Sequence, residues 1–132
     1  MSNFLLSDML STLKIGFMQK TKFVLIKNCI MHLKLLNIFY DLGYIFGFTI
    51  INKFYIKIYL KFYFGNSVIR QIFCISTPSR RFYFNFKSIY GSRLNNYFNS
   101  NSFLICSTSS GFLTDVESTI YKTGGEPLIF LC

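Results

Sequence analysis

A chain of 132 residues, 52% of them apolar, has room for one domain or for two small lobes sharing a core. Its 14 basic and 5 acidic residues give a net charge of +9, which points to a polyanionic partner: nucleic acid or an anionic membrane surface. Spanning the membrane is excluded, because no run of about 20 residues is apolar and uncharged enough; Asp41 interrupts residues 35–51, and Lys57 and Lys61 break the stretch beyond.

Asp8 falls inside the first apolar stretch, and no small-residue cleavage site follows it, so a secretory leader is not expected. Phe occurs 17 times and Tyr 9 times, while Ala and Trp are absent. Good helix formers include Ala, so folding does not demand this skew. Codons rich in A and T do, and they suggest an organelle genome. Cys29, Cys74, Cys106 and Cys132 are far apart and His32 is the only histidine, so free thiols are expected rather than disulfides or a zinc site.

In residues 3–18, Leu5, Leu6, Met9, Leu10, Leu13 and Phe17 recur at helical spacing. Residues 22–26 read as a short strand. A second helix follows, with Ile30, Leu33, Leu36, Asn37 and Tyr40 on one stripe and Gly43 placed to end it. His32 is expected to be exposed or partly buried on that helix. Residues 44–50 read as a strand.

Residues 54–64 show the clearest alternation in the chain. Phe54, Ile56, Ile58, Leu60, Phe62 and Phe64 take one face, and Tyr55, Lys57, Tyr59, Lys61 and Tyr63 take the other. The Tyr/Lys face has the chemistry to stack bases, but an ordinary solvated sheet face explains it better.

Gly65-Asn66 marks a lobe boundary, giving an α/β lobe over 1–65 and a β-rich lobe over 66–132. In the second lobe, strands are expected over 68–76, 82–86, 103–108 and 127–132. Residues 77–81 read as a turn, 87–98 as a short helix, 99–102 as a loop, 114–123 as a helix and 124–126 as a turn. The fold class is α+β, in two small lobes: helix-strand-helix-strand-strand, then mainly β with one capped helix.

Thr114 and Glu117 have capping-box spacing, and Asp115 suits the first turn of that helix. The only close acidic pair is thereby structural. No phosphate-binding loop or nucleophile–base set is visible, so no enzyme activity, cofactor or metal is expected. Ser107 to Gly111 is a run of small hydroxyls and a glycine at a strand end. Such groups let a partner approach closely, and they suit the 2′-hydroxyls and unpaired base edges of folded RNA. Arg80 and Arg81 supply charge for phosphates.

The blocks ISTPSRRFY, LICSTSSGFLTD and GGE resemble, in order and spacing, the signatures of the small-subunit ribosomal protein eight family, bacterial and organellar type. SDMLSTLKIG resembles that family's opening motif, and FYDLGYI a second one. The resemblance covers nearly the whole length. It implies a structural protein of the small ribosomal subunit that binds the central domain of its rRNA, supports assembly and translation, and has ribosomal proteins as neighbours.

Carried over by position, the RNA-binding residues are Ser107, Thr108, Ser109 and Gly111, with Gly124, Gly125 and Glu126 beside them. Glu126 either accepts from a base or holds the loop. Ser76, Arg80, Arg81 and Tyr83 approach from the middle segment. Thr77 and Ser79 depart from the family pattern, which has a basic residue and Gly there. Thr12 and Ile15 depart in the first helix, and Ile30 and His32 in the second.

The expected location is the mitochondrial matrix ribosome, with an organelle-encoded chain; a plastid is the alternative. Two rival functions remain at this stage: a membrane-associated basic subunit of an organellar complex, and a free RNA-binding regulator.

Overall fold

The computed structural model describes residues 3–87 and 102–132. The chain divides into two compact units, Met1–Arg70 and Gln71–Cys132. The α+β class is found, and so is the expected helix-strand-helix-strand-strand order through Leu60.

In the first unit, helix α1 (Asn3–Gln19) is followed by β1 (Phe23–Lys27), α2 (Ile30–Asp41), β2 (Ile45–Ile50) and β3 (Tyr55–Leu60). The strands form an antiparallel sheet in the order β1-β3-β2, with Ile26 opposite Ile56 and Phe48 opposite Ile58. Most of the α1 stripe is buried as its spacing requires: Leu6, Met9, Leu10, Leu13 and Phe17 are in the core, while Leu5 is half-buried. Each such side chain contributes about 1.5–3 kcal/mol when fully buried.

Helix α2 corrects the expected stripe. Met31, His32, Leu35, Leu36 and Phe39 face inward, while Ile30 and Tyr40 are exposed. Two apolar stripes about one residue apart compete on this helix, and periodicity alone cannot choose between them. The helix ends in a Schellman motif. Gly43 N–H donates to Tyr40 O at 3.0 Å and Tyr44 N–H to Phe39 O at 2.9 Å, with Gly43 at φ +79°.

His32 is 1% exposed, contrary to the expectation of an exposed or half-buried residue. Its Nδ1 lies 2.8 Å from Lys27 O and its Nε2 3.0 Å from Leu5 O. Both carbonyls are acceptors, and the ring nitrogen that carries the hydrogen donates to the one it faces. The side chain ties the start of α1 and the end of β1 to α2. His32→Leu removes the ring's hydrogen bonding to these carbonyls, and the first unit should lose about 1–3 kcal/mol in urea unfolding.

The strand expected over 54–64 is broken. β3 ends at Leu60; β4 (Phe62–Tyr63) then pairs with β5 (Asn66–Ser67) in a separate hairpin. Ile56, Ile58 and Leu60 are buried, but Phe54 and Phe64 are exposed. The Phe64-Gly65 turn has φ of 48° and 75°, a two-residue connection with both central residues left-handed. Alternation continues through residue 64, but the core it needs ends at Leu60.

The second unit contains β6 (Ile72–Cys74), β7 (Phe103–Thr108), β8 (Gly111–Thr114), the short helix α3 (Asp115–Ile120) and β9 (Gly125–Leu131). They make an antiparallel sheet in the order β6-β9-β7-β8. Central strand β9 is buried on both faces from Pro127 to Leu131. Leu104, Cys106 and Phe130 form a core against which Ile75, Phe84 and Cys132 pack.

Strand β8 was not foreseen, and the strand expected over 82–86 reduces to one bridge, Phe84 to Gly125. The strand expected over 68–76 is limited to Ile72–Cys74. The helix expected over 87–98 lies, from residue 88 on, outside the described residues, as does the loop up to residue 101. The capping box is present: Thr114 Oγ1 accepts from Glu117 N–H, and Thr114 N–H donates to Glu117 Oε2 at 2.9 Å.

No described helix is long and apolar enough to cross a membrane. The four cysteines are free. Burial pushes the Cys106 thiol up to about 12, and the nearby Asp115 carboxylate adds to the shift. Iodoacetamide at pH 8 should therefore leave Cys106 unmodified until denaturant is added, which peptide mass spectrometry would read.

Candidate nucleic-acid interface

The hydroxyl run is the turn of the β7–β8 hairpin. Thr108 pairs with Gly111, and Ser109 and Ser110 are the two connecting residues. Thr108 holds the turn, because its hydroxyl donates to Gly111 O at 2.9 Å and accepts from Ser110 N–H at 3.2 Å. Gly111 has φ +106°, a conformation that L side chains rarely adopt. Ser109, Ser110 and Gly111 are exposed. Thus the turn spends one hydroxyl on its own geometry and presents the next two outward.

β9 brings a second group to the same end of the sheet. Ser107 pairs with Glu126 and Thr108 with Gly125. A Cβ on Gly125 would stand 2.1 Å from Ser107 O, and one on Gly124 would stand 2.6 Å from Phe84 O. Neither contact is possible for a real side chain, so the GG pair is what lets two neighbouring backbones close on β9.

The middle segment is tied to this end through Glu126. The buried Ser76 hydroxyl donates to Glu126 Oε1, and Arg81 Nη1 lies 3.9 Å from Oε2. Cys74 Sγ donates to Ser76 O at 2.9 Å; desolvation, followed by the Glu126 charge, holds that thiol above its usual range. Between Ser76 and Arg81 the expected turn is present, with Thr77 N–H donating to Arg80 O at 3.0 Å and Arg80 N–H to Thr77 O at 3.1 Å. Arg80 is exposed, its guanidinium 5.0 Å from the Phe82 ring centroid. Tyr83 is 72% exposed and precedes Phe84, which exchanges hydrogen bonds with Gly125 at 2.9 and 3.1 Å.

The expected site residues are therefore gathered at one end of one sheet. They do not all face outward. Ser76 is 0% exposed, and Glu126 has both carboxylate oxygens directed at neighbours from its own unit. The exposed ones are Arg80, Arg81, Tyr83, Ser109, Gly111 and Gly124. Sequence reasoning missed Phe82, which lies beneath Arg80, and Phe84, which anchors the segment. Their signal was the aromatic alternation of FYFNF, which suggested a strand.

The sequence pattern of the family described as Ribosomal protein S8 matches residues 5–131. The chain belongs to that family. A structural role in the small ribosomal subunit follows from this membership. Among its relatives, "Small ribosomal subunit protein uS8m" of Acanthamoeba castellanii is 39% identical over 127 residues, covering 95% of this chain and 96% of its own. Bacterial members are also similar. The uS8 of Rhizobium rhizogenes is 32% identical, and that of Bartonella bacilliformis 34%, each covering 93% of this chain and 92% of its own. This chain's own STSSG run, Ser107 to Gly111, and its GGE block fall on the β7–β8 turn and at the start of β9.

Proposed function

We propose that this chain is an rRNA-binding component of the small subunit of a mitochondrial ribosome, encoded in the organelle, and that it contacts the central domain of the rRNA through the β7–β8 end of its second unit. The observation that carries the reading is the β7–β8 turn, held rigid by Thr108 and presenting Ser109 beside a glycine strand. Ser107, Thr108, Ser109 and Gly111 form the contacting turn. Gly124 and Gly125 keep the neighbouring backbone close and leave room for a sugar edge. Glu126 acts by holding Ser76 and Arg81 in place. Arg80, Arg81 and Tyr83 then face the phosphates and an unpaired base beside the turn. Neighbouring small-subunit proteins complete the surroundings. No small-molecule substrate is part of this mechanism.

Affinity comes mainly from charge and selectivity from shape. Neutralising about four phosphates makes log K fall with log salt at a slope of roughly 3 to 4. A titration of the chain against a helix carrying an irregular internal loop should show that slope; a flat response contradicts the reading. Ser109→Ala should weaken this binding by about 1 kcal/mol, as expected for one lost interfacial hydroxyl. Co-sedimentation with small ribosomal subunits in non-ionic detergent separates this role from that of a free regulator or a membrane-bound subunit.

A further inference from the structure

The site just described lies in the unit with the smaller share of the charge. Nine of the fourteen basic residues and two of the five acidic ones fall in Met1–Arg70, a net +7 against +2 for Gln71–Cys132. The concentration of charge calls for a polyanion contact in the first unit as well.

Two surfaces there combine cations with aromatic rings. One is the exposed face of the β1-β3-β2 sheet. Its Lys57 Nζ already lies 4.0 Å from the Phe23 ring centroid and 5.3 Å from that of Tyr59, so the lysine covers the planes a base would need. The other is a groove of about 880 Å³ between the end of α1 and the β4–β5 hairpin. Lys20, Lys61 and Arg70 line it together with Tyr63 and Phe64, and none of its lining residues is acidic.

Its backbone carries the second observation. Among the described residues only Lys20, Phe64 and Lys122 are non-glycine residues at positive φ, and two of these three line this groove. Phe64 is the more costly case. It occupies the first central position of a hairpin turn that favours Asn or Gly, at φ 48°, and the residue is 87% exposed. A bulky residue left-handed at a turn tip gains nothing for the fold from burial there. Strain of this kind gathers where a residue is kept for contact. Tyr63 supports the ring edge-on, with centroids 4.4 Å apart. Lys61 is fixed by donating to Gly43 O at 3.2 Å.

We propose that this groove is a second RNA-binding site, in which Phe64 stacks on an unpaired base and Lys20, Lys61 and Arg70 meet the flanking phosphates. The proposal takes its ligand class from the RNA-binding reading above and adds a site in the other unit. Volume permits it, since the groove falls within the range of about 300–1,000 Å³ usual for small-ligand sites. The chemistry is a stacking platform beside a basic track, which binds single strands with little sequence preference.

The test uses the intact chain and a fluorescent oligouridine. Phe64→Asn relieves the left-handed strain, so its thermal midpoint should rise while oligouridine affinity falls about ten-fold, the usual scale for one lost stacking contact. Lys20→Gln with Arg70→Gln should lower the salt slope by about 1.4, or 0.7 for each phosphate contact on a single strand. Lys34→Gln removes one charge, as each groove substitution does, from the exposed side of α2 and should leave binding unchanged. Ser109→Ala should leave oligouridine binding unchanged while weakening the looped helix. If Phe64→Asn binds oligouridine as tightly as the parent, or if Lys34→Gln weakens binding as much as either groove cation does, the second site is overturned. The looped-helix experiment then still decides the β7–β8 site by itself.

Discussion

Gly125→Ala should destabilise the second unit by about 3 kcal/mol or more, the largest stability effect expected in the chain. The added Cβ would meet Ser107 O at 2.1 Å, Ser107 C at 3.0 Å and Thr108 Cα at 3.1 Å. All three atoms are backbone, so no rotamer change relieves the collision. The start of β9 has to move away from β7, which breaks the Ser107–Glu126 and Thr108–Gly125 pairings and releases the β7–β8 turn with them. Gly124→Ala is the natural comparison. Its Cβ meets Phe84 O at 2.6 Å, outside the central pair, so only the Phe84 bridge is forced to yield. Amide hydrogen exchange should show lost protection along β7 and β9 for Gly125→Ala, and near residue 84 alone for Gly124→Ala. An unfolding midpoint for Gly125→Ala equal to that of the parent would show that β9 does not need this close approach.

Glu126→Ala carries the second large effect. It removes the acceptor of the buried Ser76 hydroxyl and the partner of Arg81 in one step. A buried hydroxyl left without its acceptor costs about 1–3 kcal/mol. The Arg81 contact, at 3.9 Å and half-exposed, adds little to stability. Glu126→Gln separates the two roles, since the amide oxygen still accepts from Ser76 while the charge is gone. Stability in urea should therefore follow the order parent, Gln, Ala. Looped-helix RNA affinity should fall with Ala because the segment carrying Arg80, Arg81 and Tyr83 loses its anchor. If Ala and Gln are equally stable, the Ser76 hydrogen bond is not what Glu126 supplies, and its role as the organiser of the site is wrong.

How much of the site was legible depended on how local its cause was. The hydroxyl run, the capping box of Thr114 and Glu117, and the Thr77–Arg80 turn are written in consecutive residues, and each appears where it was read. Strand β8 was invisible because Gly111, Phe112, Leu113 and Thr114 are too few to show a period. They are a strand only because β7 offers an edge to pair with. The same reasoning explains residues 82–86, whose alternating pattern promised a strand. Only Phe84 meets β9, at the residue where Gly125 has no side chain to hold it off. Glu126 was read as either a base acceptor or a loop holder, and the neighbours of its two oxygens favour the second.

By itself the sequence determined the α+β class, the order of helices and strands as far as Leu60, the family and the residues of the hydroxyl turn. These rest on short-range periodicity, turn chemistry and motif spacing, which need no knowledge of distant partners. Only the tertiary structure decided which stripe of α2 is buried, where the strand after Tyr55 stops, and that Ser76, Arg81 and Glu126 form one cluster. Those outcomes depend on contacts between residues far apart in the chain, such as Ser76 with Glu126 or His32 with Leu5. A linear pattern carries no term for such contacts, because the energy of burying or pairing a group is set by what packs against it.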